Sequence, residues 1–124
     1  MVEKVILVDT NAWIHHLRKK DSRLATFLSE HRARTCDVVL GELLLGSGLP
    51  KTFSRDLLAL PRLPSPSAAE TRAFIERNQA SFAGSGVGWA DAQILVTAVK
   101  AGARLHSTDR AVRKVCRSVA VVLA

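Results

Sequence analysis

The chain has 124 residues, 48% of them hydrophobic and 23% charged, and its 18 Lys and Arg against 11 Asp and Glu give a formal charge of +7. That length suits one domain, 1–124, which buries about two-thirds of its unfolded surface and needs neither a disulfide nor a structural metal to fold. The hydrophobic share excludes a disordered basic tail and leaves a globular protein whose cationic exterior suits a polyanion. Cys36 and Cys116 form neither a CxxC pair nor a disulfide framework and read as buried free thiols. No apolar run is long enough for a secretory core or a membrane span, so a cytoplasmic location is expected.

In chain order, Lys4 to Val8 reads as a strand buried on both faces of a parallel sheet, and Thr10 to Leu17 as a helix. Ser22 is expected to cap a second helix carrying Leu24, Phe27 and Leu28 on one face. Arg34-Thr35-Cys36 suits a short strand and Asp37 the cap of a helix through Leu45, although Val38-Val39-Leu40 also suits a strand and Gly41 lowers helix propensity. After Gly46, Gly48 and Pro50 a helix is expected from Ser54 to Leu60, then an extended connection at Pro61, Pro64 and Pro66 with room for one short strand. Ser67 starts a long helix with Thr71, Phe74, Ile75, Asn78 and Phe82 on one core-facing stripe. Gly84-Ser85-Gly86-Val87-Gly88 ends it as a turn, lacking the Lys and Ser/Thr of a phosphate loop. Trp89 to Ala101 is a helix stopped by Gly102, Arg104 to His106 a strand, Asp109 to Arg117 a helix, and Val119 to Leu123 a last buried strand. Such alternation predicts an α/β fold whose parallel sheet is covered on both faces, with ligands at the carboxyl ends of the strands.

Four acids stand where apolar runs end or break: Asp9, Glu42, Asp91 and Asp109. Asp9 and Asp109 lie at strand-to-helix junctions, where an Asp either caps free amides or points into a crevice at the carboxyl edge. Helical spacing aligns Asp91 with Ile94, Leu95 and Ala98, opposite a polar side of Gln93, Thr97 and Lys100, so it faces inward. Glu42, among Leu40, Leu43, Leu44 and Leu45, either pairs with a distant Arg or shares a cation with the others. Gathered carboxylates repel one another and rise in pKa unless something cationic sits among them. Oxygen-only ligands select a hard cation, magnesium or manganese, and such a site supports hydrolysis at phosphorus.

These residues in this order resemble the PIN-domain ribonucleases, most closely the VapC toxins of toxin–antitoxin pairs. The resemblance rests on Val8-Asp9-Thr10-Asn11-Ala12-Trp13-Ile14, Gly41-Glu42-Leu43, Gly88-Trp89-Ala90-Asp91-Ala92-Gln93 and Ser107-Thr108-Asp109, and it spans the chain. It implies a three-layer α/β/α fold with a mostly parallel five-stranded sheet, magnesium-dependent RNA cleavage and inhibition by a VapB antitoxin. On it, Asp9, Glu42, Asp91 and Asp109 match the acidic metal-binding and catalytic quartet. Asn11 and Ser107 match small polar positions beside the acids, suited to orienting a carboxylate or to turn chemistry. His106 departs from the pattern and reads as a half-buried strand histidine rather than a base. An open acid cluster is also a socket for a partner's Arg, and residues among Leu43 to Leu45, Leu49 and Leu57 to Leu60 either complete the core or form a groove for an antitoxin helix and a homodimer contact.

Arg110, Arg113, Lys114 and Arg117 recur at i, i+3, i+4 and i+7 as a cationic stripe suited to RNA phosphates or simply to water. Arg18, Lys19, Lys20 and Arg23 form a second cluster, and Arg32 and Arg34 a third. Trp13 and Trp89 read as core or dimer contacts rather than stacking platforms. Two rival readings remain: a magnesium-dependent phosphatase, which wants a second Asp where Asn11 stands, and a noncatalytic nucleic-acid-binding α/β module in which the acids are caps and buried pairs.

Overall fold

The computed structural model describes residues 4–46 and 49–124. Strand β1 (Ile6–Val8) is apolar throughout and buried on both faces, as a central strand must be. It pairs in parallel with β2 (Ala33–Arg34) on one side and β3 (Arg104–His106) on the other, with Ile6 opposite Ala33 and Arg104, and Val8 opposite His106. The described sheet therefore has three strands in the order β2-β1-β3. One further parallel bridge extends each edge, Thr35 to Arg62 and Leu105 to Leu123.

The five positions expected of the sheet are thus present in sequence, but the outer two are single bridges rather than strands. Pro61 has no N–H to donate and the segment that carries Thr35 turns into a helix at Asp37, which together stop that ladder at two bonds, Thr35 N–H to Pro61 O and Leu63 N–H to Thr35 O. At the other edge, residues 117–120 are spent turning out of the last helix, so the chain reaches β3 only around Leu123.

Helices α1 (Thr10–Arg18), α2 (Ser22–Ser29), α3 (Asp37–Leu45), α4 (Lys51–Ala59), α5 (Ala68–Arg77), α6 (Gln79–Phe82), α7 (Trp89–Ala101) and α8 (Arg110–Cys116) surround the strands. Two caps differ from expectation by one residue. Asp21, not Ser22, caps α2, its carboxylate accepting from the Arg23 and Leu24 amides. Cys36 precedes α3 without a side-chain cap, and Asp37, in the first turn, pairs with Arg62 at 3.1 Å. Helix α4 starts at Lys51, straight after Pro50, three residues before the expected Ser54. Gly48, part of the break expected ahead of it, lies outside the described residues.

Ser67 does begin α5, in a capping box with Glu70. The long helix expected from there breaks at Asn78, whose side-chain amide donates to Phe74 O at 2.8 Å and competes for a carbonyl that the backbone also uses. Phe82 still reaches Phe74 edge-on, with ring centroids 6.1 Å apart.

Helix α7 has the bounds read from sequence. Gly102 ends it at φ +64°, and the Ala103 N–H returns to Ala98 O. Thr97, expected on the polar side, is buried, because its hydroxyl donates to Gln93 O at 2.7 Å and leaves only a methyl to pack. Among the described residues no helix is long and apolar enough to cross a membrane.

Candidate active site

The register sets the site. The Asp9 N–H donates to His106 O at 2.9 Å, so the first residues beyond β1 and β3, Asp9 and Ser107, lie side by side at the carboxyl edge. Asp9 caps α1 through Oδ1, which accepts the Thr10 N–H at 2.8 Å, while its Oδ2 accepts the Ser107 hydroxyl at 2.8 Å. Ser107 Oγ in turn accepts the Asp109 N–H at 3.1 Å. Asp109 caps α8 through Oδ1, taking the Val112 N–H at 3.0 Å, and its Oδ2 accepts the Asn11 amide at 3.2 Å. Thr10 Oγ1 donates to Glu42 Oε1, on α3, at 2.7 Å. Because Thr10 and Asn11 are neighbours in α1, these bonds close a ring through Asp9, Ser107 and Asp109, to which Glu42 is tied by Thr10 alone. Asp91 stands apart from it in the first turn of α7.

The electrostatics join all four acids. Burial pushes the Asp9 carboxyl up to about 6, against the Ser107 and Thr10 hydrogen bonds, with Asp91 and Glu42 adding to the rise. Burial likewise raises Asp91, helped by Glu42 and Asp109 and opposed by the Gly88 backbone. No ion pair among the described residues engages any of the four. Glu42 is half-buried and its partner is Thr10, not the distant Arg that was the alternative.

Among the described residues, no three His, Cys, Asp or Glu side chains already have the arrangement of a metal-holding cluster. The donor chemistry nevertheless fits a hard cation: four carboxylates and no sulfur or imidazole around a shared edge, with Asp9 held where burial raises its pKa. The buried thiols stay outside this chemistry. Burial raises both, Cys116 to about 11, far from the reactive range.

His106 is fully rather than half-buried. Its Nε2 meets Asp21 Oδ2 at 2.7 Å and its ring stands edge-on to Phe27, which ties it to the cap of α2 and turns it away from the acids. Burial works against the charge on Asp21, but the His106 contact and the α2 amides outweigh it and leave its pKa lowered.

In the α8 stripe, Arg110, Lys114 and Arg117 are exposed, whereas Arg113 is half-buried and donates to Ser107 O at 3.0 Å. Arg113 therefore braces the backbone beside Asp9. Arg32 and Arg34 also bond to backbone carbonyls, Lys4 O for the first and His31 O and Ala33 O for the second. Trp13 lies in the core against Phe53, and Trp89 is 45% exposed.

Sequence reasoning passes over Thr10 and Asp21. The signal for Thr10 is a hydroxyl on the first helical residue after Asp9. For Asp21 it is an acid immediately before a serine that could itself serve as the cap.

Glu42 itself lines a groove of about 490 Å³ together with Ile14, Leu17, Arg18, Leu43 and Leu49. Leu44, Leu45 and Leu58 stand 74%, 90% and 61% exposed on α3 and α4, while Leu43 and Leu57 are in the core. The leucines that the sequence leaves between core and groove thus divide into buried and exposed ones.

Residues 6–118 match the PIN domain family. The chain is 37% identical over 122 residues to Ribonuclease VapC32 of Mycobacterium tuberculosis, in strains CDC 1551 / Oshkosh and H37Rv, with 97% of each chain covered. Among solved structures it is similar to VapBC2 from Rickettsia felis bound to a DNA fragment from their promoter (TM-score 0.65, 16% identity, 97% of both chains). It is also similar to VapBC-1 from nontypeable Haemophilus influenzae (TM-score 0.69, 18% identity, 97% of this chain and 96% of that one). FitAcB from Neisseria gonorrhoeae is a third (TM-score 0.59, 21% identity, 95% and 96%). At these identities the structural likenesses speak to fold alone.

Proposed function

The chain belongs to the PIN domain family, and from that premise we propose that it is the toxin ribonuclease of a toxin–antitoxin module, hydrolysing RNA with magnesium at Asp9, Glu42, Asp91 and Asp109. The observation that carries the reading is the shared electrostatics of four acids at one sheet edge, with none of them in an ion pair among the described residues. The ribonuclease name of the 37% identical relative supports it.

Asp9 and Asp91 would hold magnesium, or manganese in its place, most directly, with Glu42 and Asp109 completing the set. The bound cation supplies a water made nucleophilic near neutral pH and charge to stabilise the phosphodiester oxygens. The chain's own residues fix the geometry: Ser107 orients Asp9, Asn11 orients Asp109, and Arg113 braces Ser107 from behind. Arg110, Lys114 and Arg117, next to Asp109 along α8, offer charges to the RNA backbone. The phosphatase alternative loses ground because Asn11, at its second-acid position, is committed to Asp109.

A VapB-type antitoxin is the partner on this reading. The exposed Leu44, Leu45 and Leu58 give an apolar helix a seat, and an Arg delivered from it would fork onto the acids in place of the cation. The same reading includes a homodimer, for which Trp89 is an exposed aromatic anchor, and a single PIN unit over 1–124. The deciding experiment incubates the purified chain with RNA and magnesium, with and without EDTA. Cleavage that EDTA abolishes supports the reading, and intact RNA in both arms would leave a binding module.

A further inference from the structure

On the nuclease reading above, we infer that Thr10 is a positioning residue that holds Asp9 and Glu42 together, acting through its hydroxyl on Glu42. Thr10 is 8% exposed and donates twice, from its N–H to Asp9 Oδ1 at 2.8 Å and from its Oγ1 to Glu42 Oε1 at 2.7 Å, across 32 residues of sequence. The first bond uses only the backbone amide and is open to any residue but proline at that position. The second is not.

Three other helical threonines satisfy themselves locally. Thr26, Thr71 and Thr97 each return the hydroxyl to the carbonyl four residues back, Ser22, Ser67 and Gln93. Thr10 is the first residue of its helix, so the residue four back lies in β1 rather than in a preceding turn, and its hydroxyl is available to cross from α1 to α3.

Glu42 needs such an anchor more than Asp9 and Asp109 do. Asp9 and Asp109 each accept two hydrogen bonds and sit on short side chains, whereas Glu42 has a longer, more flexible side chain that also borders the groove of about 490 Å³. Without the Thr10 hydroxyl, Glu42 is free to swing into that groove and away from Asp9. The valine side chain has nearly the same shape and no donor, so Thr10→Val removes this restraint while leaving the N–H to Asp9 in place.

The test is calorimetric binding of manganese to the wild type, Thr10→Val and Thr10→Ser, and to the first two with Glu42→Ala added. Thr10→Val should weaken manganese binding by about 10-fold or more, the usual effect of removing a residue that orients a ligand. Thr10→Ser keeps the donor and should recover most of that affinity. With Glu42→Ala present, Thr10→Val should cost nothing further, because the group it acts through is gone. Thr10→Ala, which also removes the donor and has less bulk, replaces Thr10→Val if thermal melts show that the valine does not fold.

Wild-type affinity in Thr10→Val, equal weakening in the valine and serine variants, or a weakening that persists without Glu42 would each overturn the assignment. Cleavage of RNA is assayed separately. A wild-type chain that binds manganese but leaves RNA intact would overturn the nuclease reading while the Thr10 comparison still stands, and one that binds no manganese would overturn the Thr10 role.

Discussion

Burial of Asp9 weakens the fold near neutral pH, a cost that a cation bound on the proposed reading would offset. The Asp9 carboxyl, raised from 3.8 to about 6, holds its proton more tightly in the native chain than in the unfolded one. As pH rises from about 4 through 6 the unfolded state releases that proton first, so native stability falls by about 3 kcal/mol in all, at roughly 1.4 kcal/mol per pKa unit. Asp21 and Glu70, whose pKa values are lowered, act oppositely and in a more acidic window: their contribution is lost as pH falls below their unfolded values. Denaturant melts without divalent metal should therefore show stability declining from about pH 4 to 7 in the wild type, with a flatter profile in Asp9→Asn.

The Asp9→Asn and Asp91→Asn variants should each abolish magnesium-dependent RNA cleavage and remain folded. Wild-type turnover in either would remove that residue from the site. Magnesium or manganese should raise the wild-type melting temperature, since a ligand bound only by the native state stabilises it, and Asp9→Asn should blunt the rise. The acids are legible in the sequence because a charge interrupting an apolar run is conspicuous. Thr10 is not, because a hydroxyl beside an Asp is ordinary in sequence and its reach to Glu42 depends on how α1 packs on α3.

Helix α8 separates two kinds of cation that sequence spacing makes equivalent. Arg113 is committed to Ser107 O, while Arg110, Lys114 and Arg117 face solvent. Replacing Lys114 and Arg117 with Ala should lower RNA affinity and flatten its salt dependence, by about 0.7 in log-log slope for every single-strand phosphate that a removed side chain had neutralised. An unchanged slope in filter-binding titrations would make them merely solvated. Arg113→Ala should instead lower the cleavage rate of bound RNA, because it loosens the segment that carries Ser107.

Elements with strong punctuation are readable: α7 and β3 share their bounds with the sequence reading because Gly102 stops one and the turn chemistry of Ser107 to Asp109 follows the other. The outer sheet positions are not. Their apolar residues suit strands, but Pro61 and the start of α3 on one edge and the turn out of α8 on the other limit each to one bridge. The Asn78 break is equally hidden, since the apolar stripe continues through it to Phe82 while one amide diverts the backbone.

At the scale of the molecule, the sequence carries the layering and the order of the acids, but whether a leucine completes the core or remains outside is decided only by packing. Leu43 and Leu57 are inside; Leu44, Leu45 and Leu58 are not. On the proposed reading, co-expression with the neighbouring upstream open reading frame should yield a complex in which cleavage is suppressed. Changing Leu44 and Leu45 to Ser should weaken that complex while the free variant still cuts RNA. A neighbour that neither binds nor silences the chain would sink the toxin–antitoxin assignment and leave the nuclease.

The parallel pairing of β1 with β3 joins Ile6 to Arg104, and the ring of hydrogen bonds needs Ser107 and Asp109 to reach Asp9 and Asn11. Synthesis at roughly 5–20 residues per second delivers the first acid seconds before the last. Throughout that interval the nascent polypeptide has one wall of its cleft missing, and even after Asp109 emerges, a hydrogen bond across 98 residues must form before the wall is in place. On the proposed reading, the four-acid site is therefore incomplete until synthesis nears its end, and a partner already present in the cell would have that interval in which to reach α3 and α4.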